Sequence, residues 1–94
     1  DDNVLIPKEH KLFSAYPNPF NPSVNIPFEL ATQAHVVLNI YDLKGKKVET
    51  LMDKLLSEGG YEINWNASSN SSGVYVCVLE SDGWISTSKL ILIK

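Results

Sequence analysis

The chain has 94 residues, 44% of them hydrophobic and 20% charged, with a net charge of −3. This is the length and composition of one globular domain with a modest core, too small for an elaborate buried active site. No basic cluster provides a footprint for phosphate backbones, which argues against nucleic acid as a partner. No apolar run reaches the roughly 18 residues needed to span a bilayer, so no transmembrane segment is predicted. The single Cys77 cannot close an internal disulfide, and the fold must rest on its core.

The opening residues, Asp1-Asp2-Asn3-Val4, include neither an initiator Met nor a basic-then-apolar leader. The expectation is a piece of a longer polypeptide whose export signal lies elsewhere. Residues 1–11 are polar, contain Pro7 and show no sustained period, so they read as a linker or arm ahead of a compact unit over 12–94. In the run Tyr16-Pro17-Asn18-Pro19-Phe20-Asn21-Pro22, three prolines remove three backbone donors and push their predecessors toward extended conformations. The run is neither helix nor central strand, and it forms a rigid entry into an all-β domain.

Val24, Ile26, Phe28 and Leu30 alternate with polar residues and Pro27, which predicts a half-buried strand at an edge or beside a bulge. A second strand carries Val36, Leu38 and Ile40. It leads into Asp42-Leu43-Lys44-Gly45, where Gly45 takes the left-handed position of a hairpin turn before a return strand over 46–51. Residues 51–56 mix helical and irregular signals ahead of Gly59-Gly60 and read as an irregular connection. Tyr61, Ile63 and Trp65 then alternate with Glu62, Asn64 and Asn66, which places Trp65 in the core.

After a loop over 66–72, Gly73 opens a nearly continuous apolar strand through Tyr75 to Leu79. Asp82-Gly83 marks a tight hairpin, and the last strand runs from Trp84 to Ile93 between the charges of Lys89 and Lys94. About seven strands with regular turn signals and no convincing helix predict an all-β fold, an immunoglobulin-like antiparallel β-sandwich.

No catalytic constellation emerges. Nucleophilic catalysis needs a Ser or Cys beside an oriented His, and neither His10 nor His35 lies in such a motif. Asp42, Asp53 and Asp82 read as separate turn residues, with no metal-loop spacing, so no metal or cofactor is predicted. Asn66-Ala67-Ser68 and Asn70-Ser71-Ser72 satisfy the N-glycosylation pattern but read as turn chemistry. Trp84 shares a face with Ser86 and Ser88, so it is the candidate for an exposed ring that stacks on a sugar. The terminal strand, with Lys89, Leu90, Ile91, Leu92, Ile93 and Lys94, is a candidate recognition element, presenting its edge by strand addition or its lysines by charge pairing. An open edge strand also offers a route to self-association.

Several phrases occur in one order: the proline run with Pro17, Asn18 and Pro19, then Leu38 to Gly45 with Asp42, then Gly60 leading to Trp65, then Ser72-Gly73-Val74-Tyr75, then Lys89 to Lys94. Together they closely resemble the type A C-terminal sorting domain of the type IX (Por) secretion system, a relative of the immunoglobulin-like domain of flagellar hook-capping proteins. The resemblance covers about Leu12 to Lys94. This chain departs from the pattern after Trp65, where Asn66 to Ser71 replaces the Asp-Gly and longer acidic turn that such domains often carry.

The resemblance implies a non-catalytic module behind a covalently linked upstream cargo in a Gram-negative bacterium. The module would pass through the periplasm and be read by outer-membrane secretion machinery. A sortase-like protease would then remove it as the cargo is fixed to surface lipopolysaccharide. The scissile bond would lie in residues 1–11 or upstream. Two other readings fit the residues: an immunoglobulin-like spacer that stabilises a secreted enzyme, and a carbohydrate-binding module.

Overall fold

The computed structural model describes residues 9–94, so most of the arm predicted over 1–11 lies outside the described residues. Seven strands occur among them: β1 (Lys11–Leu12), β2 (Ser23–Leu30), β3 (Ala34–Asp42), β4 (Lys47–Leu56), β5 (Gly59–Asn66), β6 (Gly73–Ser81) and β7 (Trp84–Leu92). Every pairing between them is antiparallel. One sheet has the order β1-β2-β5 and the other β4-β3-β6-β7, so the chain forms an antiparallel β-sandwich of immunoglobulin-like class.

The alternation seen in the sequence becomes the wall between the two sheets. Val24, Ile26, Phe28 and Leu30 of β2 face Val36, Leu38 and Ile40 of β3 and Cys77 and Leu79 of β6, all of them buried. Trp65 anchors one end of this core, in ring contact with Phe20 and Tyr75 at centroid distances of 5.8 and 5.4 Å. Burial of a Trp and a Phe of this size stabilises the domain by several kcal/mol.

Pro27 sits in β2 without breaking it. Its carbonyl accepts from the Phe13 N–H at 3.0 Å, on the side away from β5. In an antiparallel strand the N–H and C=O of one residue point to the same side, so the donor that proline lacks is missing where β1 has already ended and not from the β2–β5 ladder. Lys11, assigned to the arm by its composition, pairs with Glu29.

Both predicted turns form. Gly45 (φ 85°) closes the β3–β4 hairpin, while the Asp42 carboxylate accepts from the Lys44 and Lys46 N–H groups at 2.9 and 3.0 Å. Asp82 (φ 48°) and Gly83 (φ 86°) close the β6–β7 hairpin with two left-handed residues.

The reading of residues 51–56 is overturned. Residues 51–56 are not an irregular connection but the second half of a ten-residue strand, β4, and Asp53 is a strand residue opposite Val37 instead of a turn residue. Two register shifts, between Leu38 and Asn39 and between Ile40 and Tyr41, insert extra residues into β4 and break its two-residue period. Leu51 and Met52, adjacent in sequence, are therefore both half-buried, which the two-residue period of a regular strand does not give.

Candidate functional site

The phrases that carry the family resemblance meet at one pole of the sandwich. All five contribute to the core or ladders there: Phe20 and Trp65 by ring contact, Asp42 as the register partner of Tyr75, and Gly73 as the partner of Leu92 in the terminal phrase. Tyr75 is buried and its hydroxyl donates to the Ser71 carbonyl at 2.6 Å, which ties β6 to the loop before it. The Trp65 indole N–H donates to Glu49 Oε1 at 3.0 Å and closes the seam between β5 and β4.

The proline run acts on the terminal strand. The Asn18 side chain behaves as a surrogate peptide group: its Nδ2 donates to the Lys89 carbonyl at 2.8 Å and its Oδ1 accepts from the Ile91 N–H at 3.0 Å. Phe20 continues the pattern with its backbone, donating to Ile91 O at 2.8 Å and accepting from Ile93 N at 3.0 Å, in a parallel bridge beside Leu92. Pro17 and Pro19 flank Asn18 and leave no competing backbone donor at those positions. The edge of β7 from Lys89 to Ile93 is thereby occupied.

The candidate recognition residues divide by side. Leu90 and Leu92 point inward and are buried, whereas Lys89 and Ile93 are exposed and Ile91 is half-buried on the outer face. Lys94 is tied down. Its ammonium donates to the Ser68 and Asn70 carbonyls at 2.8 and 2.9 Å, and its N–H donates to Ser72 Oγ at 2.9 Å. An open groove of about 490 Å³ lies beside this loop, between Asp42–Lys44 and Ser69–Tyr75.

Asn18→Ala removes two hydrogen bonds of about 1 kcal/mol each. The expected loss is about 2 kcal/mol, read from the denaturant midpoint, together with faster amide hydrogen exchange at Ile91. Unchanged exchange at Ile91 would show that Asn18 does not seal this edge.

Other side chains have ordinary structural work. His10 Nδ1 accepts from the Ala31 N–H at 3.0 Å, and its ring meets Trp84 edge-on at 5.4 Å. Trp65 is buried, and Trp84 is half-buried against the core with the His10 ring beside it. His35 and Asp53 pair at 2.6 Å on the surface. Burial pushes the Cys77 thiol up to about 12, which leaves it protonated and inert at neutral pH. A hydrogen bond to Glu62 holds the Tyr16 phenol above its ordinary value. Among the described residues no group of three or more His, Cys, Asp or Glu side chains is placed to hold a metal ion.

Sequence reasoning missed the two bonds of Asn18, the Glu49 acceptor for Trp65, the burial of Ala67 within a polar loop and the tethering of Lys94. All join segments distant along the chain, so no local pattern announces them.

A search of curated proteins finds no match. The fold is similar to that in a crystal structure of dimeric latent PorU from Porphyromonas gingivalis, with a TM-score of 0.64 and 24% identity. That likeness covers 98% of this chain and 10% of the other, so the chain spans about a tenth of the length of the protein it resembles. The family profile described as "Secretion system C-terminal sorting domain" matches residues 14–94, from just before the proline run to the last lysine. With the proline run, the hairpin turn, Trp65, Tyr75 and the terminal strand gathered at one pole, the chain belongs to the family of type IX secretion system C-terminal sorting domains.

Proposed function

We propose that this sandwich is a non-catalytic address tag that directs a covalently linked upstream cargo across the outer membrane of a Gram-negative bacterium by type IX secretion. A sortase-like protease then removes it and the cargo is retained at the cell surface. The observation that carries the reading is the family match over residues 14–94, which spans nearly all of the described sandwich. The geometry supports a surface that is read by other proteins: the conspicuous side chains serve packing, turns and edge closure.

In this reading the terminal segment is recognised through its outward side chains Lys89, Ile91 and Ile93, because Asn18 and Phe20 already occupy its backbone edge. Leu90 and Leu92 act indirectly by holding the strand in place. The protease cuts upstream of His10, since His10 and Lys11 are fixed against Ala31 and Glu29.

A periplasm-targeted reporter fused ahead of residue 1 tests this. Export is expected in a host with the type IX machinery and is lost in the same host without it. Equal reporter location in the two hosts would refute the proposal.

A further inference from the structure

The two outer faces of the sandwich differ. The three-stranded sheet turns Asn25, Glu29, Glu62 and Asn64 to solvent, with Asn64 Nδ2 donating to Asn25 Oδ1 at 3.0 Å, a polar face that needs no cover. The four-stranded sheet instead turns out Val37, Val74, Val76, Val78, Ile85 and Ile91. Ile85 alone is 59% exposed. Apolar residues contiguous across neighbouring strands on a solvent face mark an interaction surface.

The charges on this face are sorted by row. The ladder registers place Asp53, Val37, Glu80 and Ile85 in one row. The next outward row holds Thr50, Asn39, Val78 and Thr87, and the one beyond it Lys47, Tyr41, Val76 and Lys89. One row is therefore acidic, the middle one neutral and the third basic. A twofold axis lying across the strands at the middle row superposes the acidic row of one copy on the basic row of the other, in both directions. Asp53 then stands over Lys47 of the second copy, and Glu80 stands diagonally across from its Lys89. The face is complementary to itself, which is the requirement for a closed twofold interface.

We propose that two copies of this chain pair face to face through the outer surface of the β4-β3-β6-β7 sheet, with Glu80 and Lys89 as the reciprocal charge contacts. Four strands spaced about 4.8 Å apart, over about seven residues each, cover roughly 450 Å² per copy. The resulting total of roughly 900 Å² lies below the standard size for a tight complex, so the dimer is weak and concentration-dependent. The inference does not depend on the export reading and concerns a sheet face, not the edge pairing that the sequence suggests.

Sedimentation velocity of the 94-residue chain from about 10 μM to about 1 mM tests it, because a weak dimer dissociates within that range. The parent is expected to self-associate at the upper end. Glu80→Lys and Lys89→Glu, both on outward positions and expected to leave the melting temperature of the dilute protein unchanged, should each weaken association about tenfold or more. An equimolar mixture of the two variants should restore it, since each then carries one sign of charge at both ends. A monomeric parent at about 1 mM would overturn the proposal. Association unchanged in both variants would assign the contact to a strand edge and overturn it, and so would a mixture that stays monomeric.

Discussion

Removal of Leu90 to Lys94 is expected to unfold the whole domain and not merely blunt its recognition. Leu90 and Leu92 are 0% and 1% exposed, in the core wall formed by β7. Losing a buried Leu side chain costs about 2–5 kcal/mol. The deletion also removes the ladder partners of Gly73, Val74 and Tyr75, both backbone bonds of Phe20 and the Lys94 ties to the 68–72 loop. Together these losses match or exceed the total stability of about 5–15 kcal/mol that a domain of this kind possesses.

Circular dichroism of the shortened chain should therefore show no cooperative thermal transition. A sharp transition near that of the parent would contradict the packing described. Loss of export after this deletion consequently cannot by itself identify a recognition signal. Substitutions at the outward residues Lys89 and Ile93 leave the core intact and make the cleaner test of recognition.

Trp65→Ala has the second largest expected effect. The indole is 1% exposed, lies against Phe20 and Tyr75 and donates across the sheet seam to Glu49. A Trp-to-Ala truncation in a core costs about 3–5 kcal/mol. For a domain of this length each kcal/mol shifts the melting temperature by about 4–8 °C. A drop of about 15 °C or more is expected by calorimetry, or complete unfolding at about 37 °C. Trp65→Phe keeps most of the packing but loses the bond to Glu49, so its loss should be smaller, about 1–2 kcal/mol. If the Ala variant melts within a few degrees of the parent, Trp65 is not the centre of the pole at which the family phrases meet.

The parts of this fold that were legible in the sequence are those that depend on near neighbours. Alternation along β2 and β5 set their inward faces because the side-chain period of a strand is two, and Trp65 followed from Tyr61 and Ile63. Turn chemistry located both hairpins, since Gly45 and Gly83 adopt the left-handed backbone that glycine tolerates best. The second half of β4 was illegible because two bulges corrupt that same period.

The pole was only half legible. Its members could be named from the family resemblance, but their meeting depends on bonds across 71 and 73 residues of sequence, from Asn18 to Lys89 and Ile91. The same gap explains why the terminal strand read as an open edge. The sequence offers that edge for strand addition and the lysines for charge pairing, whereas Asn18 and Phe20 cover the edge and Lys94 is engaged with the loop carbonyls of Ser68 and Asn70. A side chain that imitates a peptide group leaves no periodic trace in the chain that carries it.

The most direct measurement of the central claim is the intact mass and location of a fused reporter after expression in a host with type IX secretion. The expected result is a reporter recovered at the cell surface and lighter by the mass of the sandwich. A full-length fusion held in the periplasm, with the domain folded and still attached, would contradict it.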